Sequence, residues 1–170
     1  MAISYFILGG ARSGKSQRAQ TLAESLGDRR VFTATAEAWD DEMAERISRH
    51  KADRGSGWST IEVPLDLVEA LSSAADKGDV CVVDCLTLWL SNLMHHERDV
   101  TAETSLLCEA IADMPIPIIL VSNEVGLGIV PETPLGRAFR DAQGRLNQDV
   151  ASVCERVEFI AAGLPMTLKG

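Results

Sequence analysis

The stretch that most constrains this chain is residues 5–16. Tyr5-Phe6-Ile7-Leu8 is an apolar run ending in Gly9-Gly10-Ala11-Arg12-Ser13-Gly14-Lys15-Ser16, and Gln17 to Leu26 reads as a helix. The spacing fits G-x-x-x-x-G-K-[ST], with Gly9, Gly14, Lys15 and Ser16 at the fixed positions. Strand, glycine turn and helix come in the order that a phosphate-binding loop requires. Glycines let several backbone N–H groups converge without side chains in the way. A helix starting near Gly14 adds unpaired N–H groups and partial positive charge. Lys15 then reaches the β and γ phosphates of a nucleoside triphosphate, and Ser16 offers its hydroxyl to Mg²⁺.

The remainder predicts an α/β fold. Strands are expected at 3–8, 31–35, 59–63, 80–84, 118–122, 157–161 and 166–168. Helices are expected at 15–26, from Asp40 or Asp41 to about Ala52, from Leu65 to Ala75 behind Pro64, and at 101–113 and 135–153. Cys85 to Leu93 reads equally as an apolar loop or a helix start. Val80-Cys81-Val82-Val83 is apolar without alternation, as expected of a central parallel strand covered on both faces. Repeated strand–helix units predict a mostly parallel sheet with helices on both faces, and the last two strands an antiparallel edge. The 170 residues suffice for a single nucleotide-binding catalytic domain over 1–170.

Composition removes several function classes. A net charge of -9 argues against a large basic face for nucleic acid. No stretch approaches a membrane span and no signal peptide is evident, so a cytoplasmic protein without stable membrane insertion is expected. Cys81, Cys85, Cys108 and Cys154 form no C-x-x-C pair and suit buried thiols in a reducing compartment. With no H-E-x-x-H run either, structural zinc is not expected. An N-K-x-D run is absent, which disfavours a regulatory GTPase; the glycine loop alone leaves ATP against GTP open.

Three further places carry candidate chemistry. Asp84 ends a strongly apolar strand, the pattern that holds Mg²⁺ opposite a phosphate loop. Asn123 and Glu124 end the next such strand, at the carboxyl edge where open parallel sheets bind ligands. Arg46, Arg49, Lys51 and Arg54 crowd positive charge into an otherwise acidic chain. As a helix, Arg46, His50 and Arg54 share one face, and neighbouring cations keep an imidazole neutral and nucleophilic. The same pattern suits a boundary histidine beside a solvated basic face. His95 and His96 read as surface-loop residues. Arg137 and Arg140 either form an anion-contacting face or pair with Asp141 and other acids.

Over nearly its whole length the chain resembles the bifunctional adenosylcobinamide kinase/adenosylcobinamide-phosphate guanylyltransferases of cobalamin synthesis. The resemblance rests on Gly9 to Ser16, on Asp40-Asp41-Glu42-Met43 leading to Arg46-Ile47 and His50-Lys51, and on Asp84-Cys85-Leu86-Thr87-Leu88-Trp89-Leu90-Ser91-Asn92. Its most specific block is Asn123-Glu124-Val125-Gly126-Leu127-Gly128-Ile129-Val130-Pro131-Glu132; Phe139-Arg140-Asp141, Gly144-Arg145 and Leu146-Asn147-Gln148 follow.

The resemblance implies a RecA-like P-loop NTPase fold, a homo-oligomer and two reactions. In one, ATP or GTP phosphorylates the aminopropanol hydroxyl of adenosylcobinamide. In the other, GTP guanylylates a histidine, matched here by His50, and the GMP passes to adenosylcobinamide phosphate to give adenosylcobinamide-GDP. The implied nucleotide-binding set is Gly9, Gly10, Ala11, Arg12, Ser13, Gly14, Lys15, Ser16, Thr33, Ala34, Thr35, Lys51, Arg54, Glu62 and Asp84. Ser16 and Asp84 would hold Mg²⁺, with Arg46, Asn123 and Glu124 as further candidates. One triphosphate site serves both reactions only if the nucleotide or the His50 segment changes position, and Gly55-Ser56-Gly57 is the expected hinge. Trp39, Trp58 and Trp89 suit either the flat corrinoid or the core.

Overall fold

The computed structural model describes residues 2–37 and 55–170. The expected helix from Asp40 or Asp41 to Ala52 lies outside the described residues, and with it Trp39, Arg46, His50, Lys51 and Arg54. The chain runs β1 (Ser4–Gly9), α1 (Lys15–Leu26), β2 (Arg30–Ala34), β3 (Trp58–Glu62), α2 (Leu67–Lys77), β4 (Val80–Asp84), α3 (Leu86–His95), α4 (Val100–Ala112), β5 (Ile118–Asn123), α5 (Pro134–Val153), β6 (Arg156–Ala161) and β7 (Leu164–Lys169).

All strands join one 7-stranded sheet in the order β3-β2-β4-β5-β1-β6-β7. Every pairing is parallel except β6 with β7. The central strands are apolar on both sides because both faces are covered. Phe6, Leu8, Cys81, Val83, Ile118 and Leu120 enter one core with residues of α2, α3, α4 and α5. Ile7, Val80, Val82, Ile119 and Val121 enter the other, with Ala19 and Ala23 of α1. The continuous run Val80 to Val83 is thus two interleaved apolar sets, one for each layer of helices.

Local chemistry sets the ends. Asp99 caps α4 by accepting from the Ala102 N–H, and Thr133 caps α5 by accepting from that of Gly136, with Pro134 in the first turn. Lys169 donates to the Ala151 and Ser152 carbonyls at the far end of α5, where a cation suits both the free acceptors and the helix dipole. β6 and β7 are joined by Ala162-Gly163, both at positive φ, which matches the two-residue hairpin turn that follows strand twist.

One expectation changes and one alternative is resolved. The helix behind Pro64 starts at Leu67, not Leu65, because Asp66 takes the N-cap position. Of the two readings of Cys85 to Leu93 the helix start holds: the stretch contains most of α3, whose Leu86, Thr87, Trp89, Leu90, Asn92 and Leu93 are all buried. His95 ends that helix and His96 caps it, both exposed.

The thiols are free, as expected. Burial pushes Cys81 and Cys85 up to about 11 and Cys154 up to about 12. Only Cys108 is half-buried. Iodoacetamide at pH 8 is therefore expected to alkylate Cys108 first and to spare the other three until the protein unfolds. Peptide mass mapping over a time course checks this, and early labelling of Cys85 would contradict it.

Candidate active site

The carboxyl ends of β1, β2, β4 and β5 meet along one edge of the sheet. From β1 the chain turns through Gly10 to Gly14 into α1. Gly9 leaves no room for a side chain: a Cβ there would lie 2.5 Å from the Ile160 carbonyl oxygen and 2.7 Å from Ser13 Oγ. Gly14, at φ 103, is the N-cap of α1 and supplies no side-chain cap. The first turn of α1 holds no acidic residue, so its N–H groups face the loop without a built-in anion. Ser13 Oγ is buried there with no hydrogen-bond partner. Ala11 and Arg12 are exposed, with Arg12 in the left-handed region at φ 54.

Lys15 is the second residue that fixes the loop's character. It is only 8% exposed, and its Nζ donates to the Gly10 carbonyl at 2.6 Å. Burial pulls its ammonium below the ordinary lysine range, while Asp84 and Cys85 oppose the shift. The ammonium is thus folded back across the loop, close to where phosphate oxygens would converge. Beside it, Ser16 Oγ donates to Asp84 Oδ2 at 2.7 Å. A hydroxyl and a carboxylate at this separation are hard oxygen donors of the kind Mg²⁺ takes. Among the described residues there is no cluster of three or more histidine, cysteine or acidic side chains that would hold a metal by itself.

The C-terminal hairpin braces the loop from behind. The Gly163 N–H donates to the Ser13 carbonyl at 2.8 Å. Arg18 of α1 makes a two-pronged bond with Glu158 of β6, at 2.7 and 2.6 Å. A Cβ on Gly14 would come within 3.1 Å of Gly163 Cα. Gly14→Ala therefore meets both a strained φ and a backbone contact. We expect a loss of about 1–2 kcal/mol in stability and weaker triphosphate binding; thermal unfolding and calorimetric titration with GTP measure the two effects.

The β5 exit lies next to the loop. The Glu124 N–H donates to the Gly9 carbonyl at 3.0 Å, and the Glu124 carboxylate accepts from the Gly126 N–H. The Asn123 N–H donates to Thr87 Oγ1 at 2.8 Å, and its carbonyl accepts from Asn147 at 3.2 Å. Behind them is a buried set that sequence reasoning missed. Gln143 Nε2 donates to Ser122 Oγ and Asn147 Oδ1, and Ser122 Oγ donates to Asn147 Oδ1. The available signal was a glutamine and an asparagine four residues apart on the inward face of α5, alongside Leu146 and Val150.

Other expected site residues fall differently. Thr33 and Thr35 are fully buried with their hydroxyls engaged, Thr33 with Cys81 Sγ at 3.4 Å and Thr35 with the Cys85 backbone. Ala34 is buried between them, and Glu62 is exposed at the end of β3. Arg140 pairs with Asp141, while Arg137 donates to the carbonyls of Pro131 and Glu132, so neither guanidinium is unengaged. Trp89 is core and donates to the Leu65 carbonyl; Trp58 stands edge-on to Phe32 with Arg30 over its ring. Gly55 and Gly57 both have positive φ, at 70 and 91. Among the described residues no helix is long and apolar enough to cross a membrane.

The fold is similar to the flagellar accessory protein FlaH of Methanocaldococcus jannaschii, with a TM-score of 0.56 at 15% identity over 98% of this chain and 78% of that one. It is also similar to a KaiC-like protein of Pyrococcus horikoshii, with a TM-score of 0.57 at 13% identity over 92% and 70%. At such identities the likeness concerns architecture alone: an α/β sheet related to P-loop NTPase-like folds. Sequence relatives are much nearer. The chain is 49% identical to the bifunctional adenosylcobalamin biosynthesis protein CobP of Pseudomonas aeruginosa, over 96% of each chain. It is 35% identical to the CobU proteins of Escherichia coli and Salmonella typhimurium, over 96% of this chain and 98% of theirs. The family model for cobinamide kinase / cobinamide phosphate guanyltransferase matches residues 5–168. With the loop, Asp84 and the β5 exit in one place, the chain belongs to this family and is a bifunctional kinase and guanylyltransferase.

Proposed function

We propose that a single triphosphate site, built on Gly9 to Ser16 with Asp84 beside it, serves two group transfers within one domain. The observation that carries this reading is the pairing of Ser16 with Asp84 at 2.7 Å beside the inward-folded Lys15. In a RecA-like P-loop assignment these are the groups that neutralise phosphate charge. The family description supplies the acceptors, cobinamide and cobinamide phosphate, which we take in their adenosyl forms.

In the kinase reaction the aminopropanol hydroxyl oxygen of adenosylcobinamide attacks the γ-phosphorus of ATP or GTP. The bond to the β–γ bridging oxygen breaks, the nucleoside diphosphate leaves, and the hydroxyl proton goes to solvent or a nearby base. In the guanylyl reaction an imidazole nitrogen of His50 attacks the α-phosphorus of GTP, and pyrophosphate leaves. A phosphate oxygen of adenosylcobinamide phosphate then attacks the phosphorus of the guanylyl-histidine. The P–N bond breaks, His50 is regenerated, and adenosylcobinamide-GDP forms. The loop amides and Lys15 stabilise charge on the non-bridging and leaving oxygens in both reactions. Bound between Ser16 and Asp84, Mg²⁺ would add Lewis-acid neutralisation of that charge. Lys51, Arg54, Arg46 and Glu62 are assigned to nucleotide contacts around His50, and Asn123 and Glu124 to the edge of the same site. Gly55 to Gly57 is proposed as the hinge. We place the enzyme in the cytoplasm as a homo-oligomer.

The deciding experiment uses GTP labelled on the α-phosphate. Label retained on denatured protein, then chased by adenosylcobinamide phosphate into adenosylcobinamide-GDP, is the expected result. Phosphorylation of adenosylcobinamide without retained label would make the protein a simple kinase. GTP binding with neither turnover would make it a nucleotide-binding module only.

A further inference from the structure

Thr35 was expected among the nucleotide contacts, and its hydroxyl is engaged with the Cys85 backbone. The residue is fully buried. Its hydroxyl donates to the Cys85 carbonyl at 2.7 Å and accepts from the Cys85 N–H at 2.9 Å. A threonine hydroxyl has one proton to give, and here it is committed, as is an acceptor site. One side chain just past the end of β2 thus holds both backbone polar groups of the residue that follows Asp84. The backbone of Thr35 adds a further tie, because its N–H donates to the Asp84 carbonyl at 3.4 Å.

Thr35 is itself held. Asn92 of α3 is only 3% exposed. Its amide donates to the Thr35 carbonyl at 2.8 Å and to the Pro64 carbonyl at 3.0 Å, binding the exits of β2 and β3 to one helix. Thr87 of the same helix receives the Asn123 N–H from the β5 exit. α3 therefore stitches together the ends of three strands.

We propose that Thr35 is a positioning residue for the metal-binding carboxylate: by clamping Cys85 it sets the direction in which Asp84 leaves β4 and meets Ser16. The inference rests on the assignment of Ser16 and Asp84 to Mg²⁺ made above. Its physical basis is that a carboxylate needs a fixed backbone to hold a cation in preformed geometry, and that partners behind a ligand tune affinity about 10–100-fold. The β-branched methyl of Thr35 fills the buried space, while the hydroxyl alone makes the clamp. The two roles are therefore separable by substitution.

The test compares Thr35→Val, which keeps the shape and loses the hydroxyl, with Thr35→Ser, which keeps the hydroxyl. Mn²⁺ is titrated into each folded protein with a non-hydrolysable GTP analogue present, and free Mn²⁺ is read by its EPR signal. Thr35→Val is expected to weaken Mn²⁺ binding at least about tenfold. Thr35→Ser should stay within about threefold of the native protein, on the same scale. Affinity for the analogue in EDTA should be alike in all three. If Thr35→Val does not fold, Thr35→Ala replaces it, since it loses the hydroxyl without placing a methyl against the Cys85 carbonyl. Native Mn²⁺ affinity in the hydroxyl-free variant, or equal losses in it and Thr35→Ser, would overturn the inference. Asp84→Asn separates this failure from failure of the metal assignment: if it binds Mn²⁺ as the native protein does, the assignment itself is wrong.

Discussion

Replacing His50 with alanine is expected to erase the guanylylated enzyme and with it GMP transfer, while phosphoryl transfer to adenosylcobinamide stays within about tenfold of the native rate. The asymmetry follows from the two reactions. A covalent step has no substitute for its nucleophile, so the loss should be complete within detection. On the proposed mechanism the kinase step takes its nucleophile from the substrate and needs only the loop, Lys15 and the Ser16–Asp84 pair. Incubation with α-labelled GTP, followed by denaturation and counting, reads the first effect; phosphorylated adenosylcobinamide on thin-layer chromatography reads the second. Retained label on the His50→Ala protein would remove His50 from the mechanism. Equal loss of both activities would mean that the histidine supports the site as a whole.

Lys15→Ala should produce the complementary pattern, a fall of about 10²–10³ in the turnover of both reactions. The Nζ lies 2.6 Å from the Gly10 carbonyl on the inner side of the loop. No other lysine or arginine side chain is buried among the described residues. The same substitution should leave thermal stability unchanged or raise it. Burial already holds the ammonium below its ordinary pKa, so the folded protein bears a desolvation cost that alanine removes. Loss of activity without loss of stability would mark a charge kept for chemistry and not for the fold. Native guanylylation by this variant would show that the two reactions do not share the loop.

What the amino-acid sequence made legible was whatever is written locally. The loop can be read because its glycines, lysine and serine act through backbone geometry within eight consecutive residues. The interior strands can be read because burial on both faces leaves unbroken apolar runs such as Val80 to Val83. α3 was left ambiguous for the converse reason. Leu86, Trp89, Leu90 and Leu93 do recur at helical spacing, but Leu88 and Met94 extend the apolar run off that stripe and blur it. The site was legible to the same extent. Ser16 and Asp84 could be read as neighbours because each ends or follows a recognisable strand, and their side chains meet at 2.7 Å. Thr35 entered the nucleotide set only through the family resemblance, and the engagement of its hydroxyl depends on Cys85, 50 residues away, which no local pattern displays. The Ser122, Gln143 and Asn147 set is likewise assembled from distant segments, and only the spacing within α5 hinted at it.

The place of β1 in the sheet has a consequence for how a single active centre, as proposed, would discriminate between two phosphorus atoms. The strand is bonded to β5 on one side and β6 on the other along its length, and the turn between β6 and β7 rests on the loop it carries. The phosphate loop is therefore suspended from the least yielding part of the molecule. On the proposed reading it would act as an anvil, holding the triphosphate still without choosing its fate. Selection between γ and α attack then belongs to whichever nucleophile arrives, and changes that loosen the loop should blunt both reactions together without altering the ratio between them.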